Sequence, residues 1–184
     1  GSGIPGGDCD CNGNVEDCAG ECGGDAVEDG CGVCGGDNSS CDAPELFSFE
    51  QSSQQAYYYF ITATINGELL TADDWVGAFN GDVCVGARNW NTSLCGNGVC
   101  DVPIMGVGSD YEIYTYDYMQ PDEIPSFKIF DASENTYYDA VPSEDIPWAN
   151  MGLNMISTLE NVIEGCTDEL ACNYDDTANI DDGS

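Results

Sequence analysis

Positive charge is almost absent from this sequence of 184 residues. Lysine and arginine total 2 against 35 aspartates and glutamates, which gives a formal net charge of −33. Nucleic acids and anionic membranes attract proteins through lysine and arginine, so we expect neither as a partner. Histidine, the residue most often used in general acid–base catalysis, is missing as well. We therefore expect a protein that is not an enzyme.

Long apolar runs are also missing. No segment is long enough to cross a bilayer, so we expect no membrane insertion. The sequence has neither an initiator methionine nor a signal peptide, and we expect a mature protein or a piece of a longer one. The hydrophobic share of 42% is too high for a solvated acidic tail. Something must then neutralise the carboxylates, and hard oxygen ligands favour Ca²⁺.

Cysteine, by contrast, is abundant, with 12 residues. This density favours disulfides and a secreted protein, extracellular or at the cell surface. A zinc site at Cys31 and Cys34 is the alternative, but a second such pair and histidine are both missing. Cys95 and Cys100 bracket a short glycine-rich loop, which suits a local disulfide. We expect essentially all cysteines to be oxidised: Cys9, Cys11, Cys18, Cys22, Cys31, Cys34, Cys41, Cys84, Cys95, Cys100, Cys166 and Cys172.

Composition divides the chain into three parts. Residues 1–44 are rich in cysteine, glycine and aspartate and poor in apolar side chains, so cross-links and ions must hold them. Residues 45–163 contain β-prone apolar runs separated by turn residues, which predicts an antiparallel β-sandwich. Residues 164–184 return to the acidic, cysteine-containing pattern. We expect an all-β protein whose sandwich is flanked by irregular, disulfide-rich, calcium-binding repeats.

Seven segments of the central part are predicted as strands. The dipeptide Asn80-Gly81 between two of them indicates a two-residue hairpin. A short helix over 156–162 is a further prediction. The predicted strands are 46–50, 56–65, 75–79, 83–87, 111–118, 126–131 and 136–141.

The N-terminal part repeats itself with an offset of 12 residues. The letters VED at 15–17 return at 27–29, and CGGD at 22–25 returns at 34–37. A short period of this kind indicates a strip of turns, each contacting its neighbour.

The strongest ligand motif is DxDxNG at 8–13. Oxygens at positions 1, 3 and 5, with glycine at 6, allow a tight loop to turn several oxygens onto one Ca²⁺. Asn14 offers its backbone carbonyl next, and Glu16 falls at position 9. Position 12, which is a bidentate glutamate in an EF-hand, is Ala19, so Asp17 or a neighbouring turn must complete the site. The candidate ligands are Asp8, Asp10, Asn12, Asn14, Glu16 and Asp17.

Further oxygen-bearing residues recur in the second repeat and in the tail. Equivalent carboxylates in successive turns suit a row of ions, although for any single residue a merely solvated carboxylate is an equal alternative. The additional candidate ligands are Asp25, Glu28, Asp29 and Asp37 in the repeats and Asp175, Asn179, Asp181 and Asp182 in the tail.

Aromatic residues and sequons raise the question of carbohydrate. Trp75, Trp90 and Trp148 suit stacking on a sugar, and core packing is the alternative. The sequons at Asn38 and Asn91 predict N-glycosylation.

Two strings resemble a known kind of protein. DCDCNGNVEDCAGECGGDAVEDGCGVCGGDNSSC at 8–41 and GCTDELACNYDDTANIDDGS at 165–184 resemble Cys/Gly/Asp-rich repeats of very large secreted proteins from aquatic bacteria. In those proteins the tail unit continues into a cysteine after its last serine. Both strings also resemble, more loosely, the calcium-wrapped thrombospondin type 3 repeat. That resemblance implies Asp8, Asp10, Asn12 and Glu16 as ligands.

These features together predict a structural role. We expect a protomer of an extracellular filament or surface layer, stabilised by Ca²⁺ and disulfides and assembled head-to-tail from copies of itself. Repeats that belong to one giant polypeptide are the alternative arrangement. The alternative function is a calcium-dependent adhesin whose sandwich binds glycans.

Overall fold

The computed structural model of the protein describes residues 9–10, 12–27, 34, 43–109, 112–168, 170–175 and 177–183. The chain divides into two compact units, Gly1–Asp42 and Ala43–Ser184. The sequence predicted boundaries near residues 44 and 163. In the structure, the residues after 163 belong to the same unit as the strands before them.

Overlapping disulfides cross-link the first unit. Cys9 is bonded to Cys22 and Cys18 to Cys34, with separations of 13 and 16 residues. The two closed loops therefore share residues 18–22. Two valines in the described part of this unit, Val15 and Val27, are 59% and 74% exposed. These bridges confirm the disulfide prediction for these four cysteines.

Ten strands lie in the described part of the second unit, and eight of them form one mixed sheet. One 3₁₀ turn precedes the first strand, and two others lie between strands. The strands of the sheet are β1 (Gln55–Ile65), β2 (Glu68–Leu69), β3 (Trp75–Asn80), β4 (Val83–Asn89), β5 (Cys100–Met105), β6 (Ser126–Asp131), β7 (Thr136–Pro142) and β8 (Leu153–Asn161), the small parallel pair is β9 (Glu164–Gly165) and β10 (Ile180–Asp181), and the 3₁₀ turns are Glu45–Phe47, Thr92–Leu94 and Ile113–Thr115.

The large sheet is curled. Its strands follow the order β2-β1-β8-β7-β6-β3-β4, and β5 pairs with the first half of β1. β4 is the last strand of this path, yet it lies directly against β5. If Gly86 of β4 carried a Cβ, that atom would lie 1.7 Å from the carbonyl oxygen of Pro103 in β5. The sheet therefore closes around its own inner face.

The core fills the inside of the curl. Tyr58 and Phe60 of β1 lie against Phe127 of β6, with ring centroids 6.1 and 5.2 Å apart. Trp148 is buried and its indole N–H donates to the carbonyl of Ile104 at 3.1 Å. A second, smaller cluster contains Phe47, Phe79, Cys84 and Ala87.

Five predicted strands are confirmed, at 56–65, 75–79, 83–87, 126–131 and 136–141. The β3–β4 hairpin is confirmed too, but its loop residues are Gly81 and Asp82, because Asn80 still pairs with Val83. Gly81 has a φ of 60°, a conformation that glycine adopts without steric cost. The turn therefore lies one residue later than the sequence indicated.

Several predicted elements are wrong. Residues 46–50 begin inside the 3₁₀ turn Glu45–Phe47, and the predicted helix over 156–162 falls in β8. The described part of 111–118 contains a turn in which the Thr115 hydroxyl donates to the carbonyl of Glu112 at 2.7 Å. A purely antiparallel arrangement is also wrong, because β1 and β8 run parallel.

Both cations of the chain lie in ion pairs across this sheet. Arg88 of β4 lies 2.9 Å from Asp101 of β5, so it links the two strands that close the curl. Lys128 of β6 pairs with Asp139 of β7. Partly exposed pairs of this kind contribute about 0–1 kcal/mol each. Each pair also neutralises one acidic side chain of a protein whose net charge is −33.

Three described cysteines differ from the prediction. Cys95–Cys100 is a disulfide, as expected, but Cys84, Cys166 and Cys172 are free thiols. The thiol of Cys84 lies among apolar side chains, and burial raises its pKa to about 11. Cys166 is buried whereas Cys172 is exposed, so the two lie in different environments. The prediction that essentially all cysteines are oxidised is wrong for these three.

Candidate functional site

The loop at residues 10–14 is organised around one carboxylate. Oδ1 of Asp10 accepts the backbone N–H groups of Asn12 at 2.7 Å and Asn14 at 3.1 Å. Gly13 has a φ of 83°, as a tight ligand loop requires at this position. The N–H of Asn12, then that of Asn14, lowers the pKa of Asp10. Asp10 is therefore held ionised at the centre of the turn.

The amide side chains of this loop face the same carboxylate. Nδ2 of Asn12 and Nδ2 of Asn14 donate to Oδ2 of Asp10 at 3.2 and 2.7 Å. Rotating each amide by 180° exchanges its nitrogen for its oxygen at nearly the same position. Three side chains with oxygens then converge, which fits the hard oxygen ligands that Ca²⁺ takes. The carbonyl of Asn14, a predicted ligand, accepts the N–H of Cys9 at 2.7 Å.

Asp17 has a structural role in the loop that follows. Its Oδ1 accepts the N–H groups of Ala19 at 3.0 Å and Glu21 at 2.8 Å, and its Oδ2 accepts that of Ala26 at 3.2 Å. The N–H of Glu21 is the largest cause of a lowered pKa. A Cβ at Gly24 would lie 2.0 Å from Oδ2, so glycine is needed there. This explains why the first repeat places a glycine at 24 and an aspartate at 17.

The tail uses its carboxylates in local turns. Oδ1 of Asp175 accepts the hydroxyl of Thr177 at 2.7 Å and its N–H at 2.9 Å. The hydroxyl bond is the first cause of the lowered pKa of Asp175. Oδ1 of Asp181 accepts the N–H of Gly183 at 3.1 Å. Each aspartate therefore shapes its own turn.

The predicted ligands that the structure describes are not gathered into one cluster. Within the described residues, no group of three or more carboxylates or thiols is placed to hold a metal ion. Glu16 and Asp25 are exposed. The N–H of Asp182 donates to the carbonyl of Gly165 at 3.1 Å. The candidates Asp8, Glu28, Asp29 and Asp37, the cysteines Cys11, Cys31 and Cys41, and the sequon at Asn38 lie outside the described residues.

The second sequon lies in a compact turn. Asn91 is 8% exposed, and its Oδ1 accepts the N–H of Ser93 at 3.1 Å and the Ser93 hydroxyl. A glycan on Asn91 requires this turn to be open when the sugar is added. Glycosylation there stays a prediction.

A cleft that the sequence did not predict lies between the β1–β2 turn, the end of β8 and the tail. Its volume is about 520 Å³. Asn161 is buried, accepts the N–H of Asn66 at 2.7 Å and donates to Oδ1 of Asn66 at 3.1 Å. Asn179 accepts the N–H of Ile163 at 2.9 Å and donates to the carbonyl of Asn161 at 2.8 Å. The remaining polar residues of its wall are Thr64, Glu160 and Thr177.

This cleft changes the interpretation of Asn179. The sequence predicted a calcium ligand, whereas in the structure both ends of the amide join the tail to the sheet. The one sequence signal for the cleft was the dipeptide Asn66-Gly67, which forms the β1–β2 turn with φ values of 51° and 82°. The contacts with the tail depend on tertiary structure and left no local pattern.

Comparisons with known proteins assign no function to this chain. No helix among the described residues is both long and apolar enough to span a membrane. The chain matches no family model, no curated protein and no solved structure.

Proposed function

We propose that this chain is the structural protomer of an extracellular filament or surface layer, stabilised by Ca²⁺ and disulfides and assembled head-to-tail. The observation that supports this best is the Asp10 loop. Its carboxylate and two amides converge next to Cys9, which is bonded to Cys22. A β-sandwich carried between calcium-binding repeats is the architecture that goes with this proposal.

The large negative charge of the chain is the physical reason to expect bound Ca²⁺. A net charge of −33 opposes compaction through self-repulsion, and the two cations are already used in ion pairs. In the described part of the first unit, Val15 and Val27 are exposed and add no buried apolar surface to offset this repulsion. Bound Ca²⁺ neutralises carboxylates, and its binding free energy adds to the stability of the fold that it binds. Asp10, Asn12 and Asn14 would hold such an ion together with Asp8 and Glu16.

Exposed apolar side chains at both ends support head-to-tail assembly. Leu170 in the tail is 95% exposed and Tyr174 is 42% exposed. Val15 and Val27 of the first unit are 59% and 74% exposed. Contact between two different ends propagates without closing and gives a filament. Calcium shared at the junction would offset repulsion between acidic ends.

The cleft beside Asn66 and Asn161 favours a second candidate function, a calcium-dependent adhesin that binds carbohydrate. Amides and hydroxyls offer both donors and acceptors to sugar hydroxyls. Trp90 and Trp148 contribute nothing to such a surface, because both are buried in the core. Specific binding on a glycan array by the full chain, lost in Asn161→Ala, would favour the adhesin.

Electron microscopy of the purified native material, with and without a chelator, tests the filament proposal. We expect periodic filaments or layers in Ca²⁺ that dissociate in excess EDTA and reform when Ca²⁺ is returned. The physical reason is that removing the ions restores carboxylate repulsion at every junction. Monodisperse single particles in Ca²⁺, at the concentration of the native material, would contradict the proposal.

A further inference from the structure

One edge of the curled sheet is open. β8 pairs with β1 from Leu153 to Glu160. On its other side, β7 pairs only with the last three residues of β8, and Ser143, just after β7, donates its N–H to the carbonyl of Thr158 at 2.9 Å, so the open side runs from Leu153 to Ser157. The N–H of Tyr57 in β1 donates to the carbonyl of Gly152 at 2.9 Å. Because backbone groups alternate in direction along a strand, those of Leu153 and Met155 point away from β1. In the described part of the chain these groups bond to no other segment.

The open edge is apolar. Leu153 and Met155 are 73% and 58% exposed, and Met151 just before them is 70% exposed. The register places Tyr57 and Tyr59 of β1 beside Leu153 and Met155, so the outward face continues onto the next strand. Exposed, flat, apolar edges are templates for pairing with another strand, and proteins normally protect them with charge, proline or a covering segment.

The strand segments at this edge are uncharged on a very acidic molecule, and Glu144 and Asp145 are the carboxylates that line a hollow with Ile156 of β8. β1 and residues 153–159 of β8 contain no acidic or basic side chain, although charged residues make up 20% of the sequence. Two copies with a charge of −33 each repel one another wherever carboxylates of one copy face carboxylates of the other. They can meet with the least repulsion at the β8 edge.

The other edges are unsuitable. β2 is two residues long, one of which is Glu68. β4 and β5 close on each other, with Arg88 bonded to Asp101 between them. Of the described strands, the first half of β8 alone combines length, an open side and neutrality.

We infer that this edge binds a second copy of the same chain, with β8 antiparallel to β8 across a twofold axis at Met155. Met155 then faces Met155 of the second copy and exchanges both backbone hydrogen bonds with it. Leu153 faces Ser157 of the second copy. An isologous contact of this kind closes as a dimer. It is separate from contacts between chain ends, and it would join two filaments side by side.

Sedimentation velocity of the full chain over a range of concentrations tests this inference. The measurement is made in EDTA, which removes calcium-dependent contacts, and in about 0.5 M NaCl, which screens the repulsion between acidic molecules. The result therefore does not depend on whether head-to-tail assembly occurs. We expect a monomer–dimer equilibrium. Met155→Glu should weaken it roughly tenfold, because it removes apolar contact and sets two carboxylates opposite each other.

Two further variants test whether the contact at Met155, and not the net charge of the chain, controls dimerisation. Leu69→Glu makes the same change at a 70% exposed position on β2 and should leave the dimer unchanged. Met155→Lys lowers the net negative charge, yet it should weaken the dimer as well, because like charges again face each other. Circular dichroism checks that each variant is folded. A chain that stays monomeric at all concentrations, or a dimer stabilised by Met155→Lys, would overturn the inference.

Discussion

Replacing Gly86 with alanine is expected to destabilise the second unit by about 3 kcal/mol or more. The added Cβ would lie 1.7 Å from the carbonyl oxygen of Pro103 and 3.2 Å from Cα of Ile104. Neither backbone atom can move away without separating β4 from β5, the contact that closes the sheet. Denaturant unfolding of the full chain, followed by tryptophan fluorescence, measures this change.

Gly96→Ala is the matched control for this prediction. A Cβ at Gly96 meets no atom within 4 Å, so its free energy of unfolding should change by less than about 0.5 kcal/mol. Equal stability of the two variants would show that β4 and β5 do not approach as described.

Removal of the Asp74 carboxylate should have an effect of similar size. Asp74 is 4% exposed; its Oδ2 accepts the N–H and the hydroxyl of Thr71 at 2.6 and 2.9 Å. Its Oδ1 accepts the N–H of Ala132 at 3.0 Å. Asp74→Ala takes the acceptor away from three partly buried hydrogen bonds, which costs about 3 kcal/mol in the free energy of unfolding. Thermal unfolding of the full chain would detect the loss.

Asp131→Ala is the control that tests whether the burial of Asp74, and not the number of its hydrogen bonds, determines its contribution to stability. Oδ1 of Asp131 also accepts three donors, from Ser133 and Glu134, but this turn is open to water. Solvent replaces the lost acceptor there, so we expect a cost of about 1 kcal/mol. If both alanine variants lose the same stability, burial of Asp74 does not determine its contribution.

The sequence predicted strands where alternation and turn residues agree. The segments at 75–79 and 83–87, joined through Gly81, are an example. The sequence could not predict that β1 and β8 pair in parallel, because more than 80 residues separate them in the chain. β5 was missed because Pro103 lowers the strand propensity of its segment.

β8 was misread for a physical reason. Ile156 and Leu159 are buried three residues apart, a spacing typical of a helix. In β1 the buried residues Phe60 and Ala63 lie opposite them with the same spacing. Both strands therefore depart from two-residue alternation at the same place. In a single sequence, a three-residue spacing of buried side chains looks the same in such a strand as in a helical turn.

The candidate site could be predicted in part. Asp10, Asn12 and Gly13 form a local pattern in the sequence. The structure places the Asn12 backbone N–H and side-chain amide against the Asp10 carboxylate, with Gly13 at the turn. The bonds of Asn179 to Asn161 and Ile163 join residues 16 or 18 positions apart. No short motif encodes these contacts, so the tail was expected to hold an ion instead.

Calcium-dependent protection of residues 1–42 tests the central claim most directly. The full chain is digested in Ca²⁺ and in EDTA with a protease that cleaves at acidic residues, and the fragments are read by mass spectrometry after reduction. We expect protection in Ca²⁺, cleavage within residues 1–42 in EDTA, and survival of the β-sheet unit in both. Asp10→Asn should raise the Ca²⁺ concentration needed for protection, and Asp82→Asn, in the β3–β4 turn, should not. Identical cleavage of residues 1–42 with and without Ca²⁺ would contradict the account.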